Sequence, residues 1–183
     1  MSKKISIIFI LCFVSILSYF FIKSKGEVVI VKPCVFCNPS VLQRQTFYED
    51  DLVLALYTHK PIFPGHCLIV PKRCINRFEE LTDQEIVQIK RVTEKVDQAV
   101  QRVFNTCSYL ILQKNGVEVG QTEPHVHFHY IPREEGDSSS IVFMIRMLVL
   151  SLMGPISTEE MKDVVEKMRK EMSDDVCEDS CAI

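Results

Sequence analysis

The sequence predicts an α+β domain: an antiparallel β-sheet with one long helix and a C-terminal helix. Three observations predict it: β-rich runs lie on both sides of a single long helical segment, a strictly alternating run closes that series, and a second capped amphipathic segment follows. Residues 52–57 and 66–70 are short runs rich in Leu, Val and Ile, and the loop between them, 60–65, holds two prolines and a glycine. Thr82 and Glu85 frame a capping box, and Ile86, Ile89, Val92, Val96, Val100 and Val103 recur at three- and four-residue steps. A helix over 83–104 with one buried face follows. Residues 107–112 are again strand-like, 114–120 carry two glycines and read as a turn, and 124–131 alternate with the period of a strand. Beyond Arg133 comes a polar loop, 134–140, and then the apolar run 141–153 with Arg146 in its middle. That run is too short for a membrane span and a central arginine is costly there, so a buried helix or a subunit contact is expected. Ser157 and Glu160 cap a last amphipathic helix reaching about residue 172.

The chain has 183 residues and a formal net charge of −3, with Lys and Arg spread along it. No basic patch argues for a nucleic acid polymer, whereas a small anionic ligand needs only local positive potential. Residues 5–22 carry no charge and lie between Lys3 and Lys4 on one side and Lys23 and Lys25 on the other. At 1.5 Å per residue the run spans about 27 Å, close to the ~30 Å hydrocarbon core. A cleaved signal peptide is the rival, but the run ends in bulky Tyr19, Phe20, Phe21 and Ile22 rather than a small-x-small site. The expectation is a single-pass membrane protein: an anchor at 1–25, a domain at 26–173 placed on the cytoplasmic side, and a disordered acidic tail at 174–183. The eight cysteines are unevenly spaced, unlike a disulfide framework, and metal binding by a subset is the alternative.

Three of the five histidines, His125, His127 and His129, fall in the alternating run. On a strand they share one face, about 7 Å apart at ~3.3 Å per residue, while Val126, Phe128 and Tyr130 point into the core. One neutral imidazole could act as a nucleophile while a neighbour binds phosphate oxygens. A tag-like or purely metal-binding tract is the bland alternative, and its terminal position and lack of apolar alternation would set it apart from this run.

This pattern resembles the signature of the histidine-triad (HIT) family, His-φ-His-φ-His-φ-φ with φ apolar. Gly120-Gln121-Thr122 fills that family's Gly-Gln-Ser/Thr element, 64–72 looks like its Pro-Gly-His-φ-Leu-φ-φ-Pro-Lys strand, and Pro132-Arg133 is similar to the ending of the Fhit-like and bacterial branches. The resemblance implies a HIT-like fold, a homodimer and a two-step reaction at the α-phosphate of a nucleotide. In it His127 becomes nucleotidylated and water or another acceptor then releases the nucleotide. A dinucleoside polyphosphate is the implied substrate, with a nucleoside phosphoramidate, or nucleotide binding without catalysis, as alternatives. By the same carry-over His129 and Gln121 contact phosphate oxygens, and Thr122 lies by the leaving group; ordinary turn chemistry is the other reading of Gln121 and Thr122. Thr58 stands where relatives place an Asp or Asn for the ribose. Lys114 stands where an amide is usual, so either Asn115 serves in its place or a lysine brings positive charge to the phosphates. His66 falls in a supporting position and His59 in solvent, neither with a catalytic role.

Cys34-Val35-Phe36-Cys37 lacks a thioredoxin-like context, since Asn38-Pro39 follows at once. In zinc-containing relatives the remaining ligands are a His just after Pro-Lys-x and the first histidine of the triad. Here Cys74 follows Pro71-Lys72-Arg73, so the resemblance implies a structural zinc on Cys34, Cys37, Cys74 and His125, unless these are core cysteines.

Overall fold

A computed structural model describes residues 34–133, 140–152 and 154–173. A 3-10 turn, Val35–Cys37, leads to α1 (Pro39–Gln45), whose N-terminus is closed by Asn38: the side-chain oxygen accepts the Ser40 N–H at 3.0 Å. Then come β1 (Thr46–Glu49), β2 (Val53–Tyr57), β3 (Cys67–Pro71), α2 (Asp83–Phe104), β4 (Ser108–Gln113), β5 (Phe128–Arg133), α3 (Ser140–Leu152) and α4 (Thr158–Ser173). The five strands form one sheet in the order β1-β2-β3-β5-β4, each neighbouring pair antiparallel.

Strands β2 and β3 are buried along their whole length, because both faces of the sheet centre are covered. Val53, Ala55, Tyr57, Ile69, Phe128 and Tyr130 pack under α2 and α4, against Val92, Val96, Val100 and Met168 among others. On the opposite face Leu54, Leu56, Leu68 and Val70 meet Phe36, with Leu42 of α1 beside them. Helix α2 starts where its capping box demands: Thr82 accepts the Glu85 N–H and Glu85 accepts the Thr82 N–H. Asn105, in the left-handed conformation (φ 54°), ends it.

Between β2 and β3 the chain turns at Gly65, where φ is +85° and a Cβ would lie 2.9 Å from Pro132 Cγ and 3.0 Å from Val100 Cγ1. Only glycine lets this loop close against β5 and α2, and the closure aims the next residue, His66.

Four expectations change. Strand β5 begins at Phe128 rather than at 124, so His125 and His127 enter it from an irregular approach. The run 141–153 does form a helix, α3, but it is not buried: Ile141, Met144 and Leu148 are 65–70% exposed. Cys107 is disulfide-bonded, although cysteine spacing pointed away from disulfides. The single-pass membrane placement, and with it the cytoplasmic side for the domain, is corrected. Among the described residues no helix is long and apolar enough to cross a membrane. The run 5–22 that prompted that expectation lies outside the described residues, as does the acidic tail 174–183.

Candidate active site and metal cluster

In an antiparallel pair, residues directly opposite share a face. Leu68 pairs with His129, so His129 lies on the face of Leu54, Leu56, Leu68 and Val70, away from α2 and α4. His127 and His129 are neighbours there, with ring centroids 4.9 Å apart. Three hydrogen bonds fix where their protons sit. The carbonyl of His125 can only accept, so Nδ1 of His127, 2.7 Å away, carries the proton and its Nε2 keeps the lone pair. The Ile62 N–H can only donate, so Nδ1 of His66, 3.2 Å away, is the acceptor and Nε2 of His66 is protonated. That Nε2–H donates to Nδ1 of His129 at 3.0 Å, which puts the proton of a neutral His129 on its Nε2. The face therefore presents one imidazole with a free lone pair and one with a free N–H.

Burial keeps these rings neutral. It drives His66 and His129 down to about 3, with the Lys114 charge adding to the effect on both and the His66 and His127 rings adding to it on His129. His127 is lowered for the same first reason, partly offset by its bond to the His125 carbonyl. A neutral, buried imidazole with an open Nε2 is a nucleophile at neutral pH.

The other expected substrate-side residues all lie outside the helices and strands. Thr58 is buried, and its N–H bonds the His66 carbonyl at 3.3 Å. Gln121 closes the turn after β4: its Oε1 accepts the Gly116 N–H at 2.6 Å and its Nε2 donates to the Asn76 carbonyl at 3.2 Å. Asn115 accepts from the Phe78 N–H and the Gln113 amide. Thr122 is exposed on the loop that follows. His59 is exposed, as expected.

His125 is engaged at both ring nitrogens. Its Nε2 lies 2.9 Å from the Pro71 carbonyl, to which it donates, leaving Nδ1 as a lone pair 3.1 Å from Cys34 Sγ. Ligand atoms of Cys34, Cys37, Cys74 and His125 all lie within 4.8 Å of one another, a group able to hold a metal ion. Crowded thiols need such a cation to ionise: burial and the Cys37 thiol push Cys34 up to about 12.

Two residues are more deeply engaged than sequence reasoning allowed. His66, given a supporting position by the family resemblance, does more than support: it holds the proton arrangement of His129. Phe36, inside the Cys-x-x-Cys, packs on both His125 and His127 (centroids 5.6 and 5.2 Å), so it joins the cluster to the triad. An aromatic between two cysteines was its one signal.

A five-stranded antiparallel sheet that carries neutral histidines on the face away from α2 and α4 is the arrangement expected of a histidine-triad protein. The HIT domain family model matches residues 40–136, and the chain belongs to the HIT family. It is 41% identical over 95 residues to the asymmetrical bis(5'-nucleosyl)-tetraphosphatase of Schizosaccharomyces pombe, covering 52% of either chain. With a HIT-like protein of Methanocaldococcus jannaschii it shares 39% identity over 113 residues, 60% of this chain and 86% of that one. The crystal structure of the C. elegans NitFhit protein superposes with a TM-score of 0.58 at 30% identity, over 70% of this chain and 27% of that one. The chain thus spans about half the length of the tetraphosphatase it matches.

Proposed function

We propose that this chain hydrolyses dinucleoside polyphosphates, attacking the α-phosphate with His127. The observation that carries the reading is the state of that ring: Nδ1–H tied to the His125 carbonyl, Nε2 open, charge suppressed by burial. The name of the S. pombe relative supports the choice of substrate. In the first step Nε2 forms a bond to the α-phosphorus while the bond to the bridging oxygen breaks, and the departing polyphosphate takes that electron pair. Water then attacks the same phosphorus, the N–P bond breaks, and the nucleoside monophosphate leaves with the ring restored. The His129 Nε2–H donates to a phosphate oxygen through both steps. Thr58 lies with the ribose and Thr122 with the leaving group, while Gln121 and Asn115 hold the loop that borders the phosphates.

The Cys34, Cys37, Cys74 and His125 set fits zinc: three thiols and an imidazole whose Nε2–H is fixed by a carbonyl so that Nδ1 faces the sulfurs. Four protein ligands leave no open position, so the metal would be structural, holding the approach to β5. The His125 carbonyl that orients His127 belongs to this same residue. Exposed edge strand β4, with Tyr109, Leu110 and Ile111 at its surface, is the surface on which a homodimer would pair.

A panel of diadenosine polyphosphates and adenosine phosphoramidates tests the function. The unaltered chain should turn over the polyphosphates faster, and His127→Ala should lose about a thousandfold or more in kcat while still binding nucleotide. Retained turnover in that variant refutes the nucleophile, and a preference for phosphoramidates refutes the substrate. Elemental analysis should find about one zinc per chain, lost in Cys74→Ala together with a lower melting temperature. A stable, metal-free chain would remove the zinc.

A further inference from the structure

Lys114 follows β4 directly, between Gln113 and the 3-10 turn Val117–Val119. Leu112 pairs with His129 and Gln113 with Phe128, and the alternation, carried one residue past the end of the ladder, points Lys114 to the histidine face, where His127 feels its charge. Its Nζ donates to the Gly120 carbonyl at 3.4 Å, the residue before Gln121, and the side chain is half-buried. Its charge reaches His66, His127 and His129 alike. Lys72 is paired with Glu49 and Arg73 with Glu85, whereas Lys114 makes no ion pair among the described residues. A lysine whose charge is felt by three neutral rings, and whose ammonium has a carbonyl as its sole hydrogen-bond partner among the described residues, is placed to take an anion.

We infer that Lys114 binds the phosphates beyond the α-phosphate and so selects substrates whose leaving group is a polyphosphate chain. The inference rests on the functional reading above for its substrate, but not for its geometry. With the α-phosphorus at His127, the next phosphate group falls toward the turn that carries Lys114 and Gly120. Charge builds on that group as the bridging bond breaks, and a lysine ammonium is a suitable point charge for it. An amine leaving group carries no such charge, so the lysine gives a phosphoramidate little. Of the two residues between which the family resemblance leaves a choice, Asn115 is held in the turn through its Oδ1, which accepts from the Phe78 N–H and the Gln113 amide, and Lys114 is the one that carries a positive charge.

The test uses the full chain with Lys114→Met and Lys114→Arg, and reads two ratios. By calorimetry, the ratio of the ATP to the AMP dissociation constant should rise about tenfold in Lys114→Met and return most of the way in Lys114→Arg. In turnover, kcat/KM for diadenosine tetraphosphate relative to adenosine 5'-phosphoramidate should fall by about the same factor in the Met variant. Unmoved ratios, whether both ligands weaken together or neither does, overturn the inference even if the chain hydrolyses polyphosphates well. If the ATP to AMP ratio moves as expected but neither substrate is hydrolysed, the inference stands and the functional reading falls.

Discussion

Replacing His66 with alanine removes the donor that keeps Nδ1 of His129 a lone pair, and nothing else in the bond pattern then dictates which nitrogen of His129 carries the proton. The pair's one free N–H, on Nε2 of His129, is lost whenever the ring takes the other tautomer. The expected result is a fall in kcat of about tenfold or more with a smaller change in KM, because a misplaced proton harms the transition state more than nucleotide binding. Steady-state kinetics on His66→Ala read that split, and a KM effect alone would make His66 only a packing residue. The sequence showed His127 and its neighbours plainly, since alternate residues on a strand share a face wherever the strand runs. It could not show His66 against His129, a bond across 63 positions that exists only after β3 and β5 pair.

Elements were readable in proportion to how local their causes are. The long helix α2 falls on the expected 83–104 because its cap, its period and its terminator all lie within it. Strands β2, β3 and β4 each lie within a residue of the apolar runs that announced them. By contrast β1 has four residues, and its Thr46 carbonyl is held by the Arg169 guanidinium from α4, a partner 123 positions away. The start of β5 was misplaced because alternation at 124–127 is satisfied in an irregular segment: His125 is drawn toward Cys34 and Pro71, and the Val126 N–H goes to the Ile75 carbonyl. The run that forms helix α3 is apolar, too short for a membrane span and interrupted by an arginine costly there, which left a buried helix or a subunit contact as the expectation. The fold instead lays Arg146 over the Phe63 ring, 4.4 Å from its centroid, and leaves the opposite side apolar and exposed. Edge strand β4 carries the element's prediction. With Tyr109, Leu110 and Ile111 exposed along an edge that pairs with no other strand among the described residues, the full chain should sediment as a dimer and Ile111→Lys as a monomer, and a monomeric unaltered chain would rule the pairing out.

Across the whole molecule, the same burial that makes the histidines reactive ties stability to pH. In an unfolded chain His66 and His129 would titrate near their ordinary value of about 6.5, whereas in the fold burial holds both down at about 3. Above about pH 6.5 both states bind no proton at these rings and the fold keeps their full contribution. As pH falls, the unfolded chain gains protons that the folded one refuses, so stability drops continuously from about 6.5 toward 3, by up to about 1.4 kcal/mol per pH unit for each ring. Carboxylates act lower down: Glu85, held at about 2 chiefly by the Arg73 guanidinium, loses its contribution only as pH falls below the ordinary carboxylate range of about 4.5. The window from pH 6.5 to about 5 therefore isolates the imidazoles. Metal loss would act there too, because an ion held by Cys34, Cys37, Cys74 and His125 would be released on their protonation, so the comparison must hold the cluster constant. Denaturant titrations of the full chain and of His66→Gln, both zinc-loaded, do so: the unaltered chain should lose stability more steeply between pH 6.5 and 5, and His66→Gln should be flatter by about one proton's slope. Equal slopes would mean that His66 takes up its proton in the folded state, and the neutral-ring chemistry at His129 would go with it.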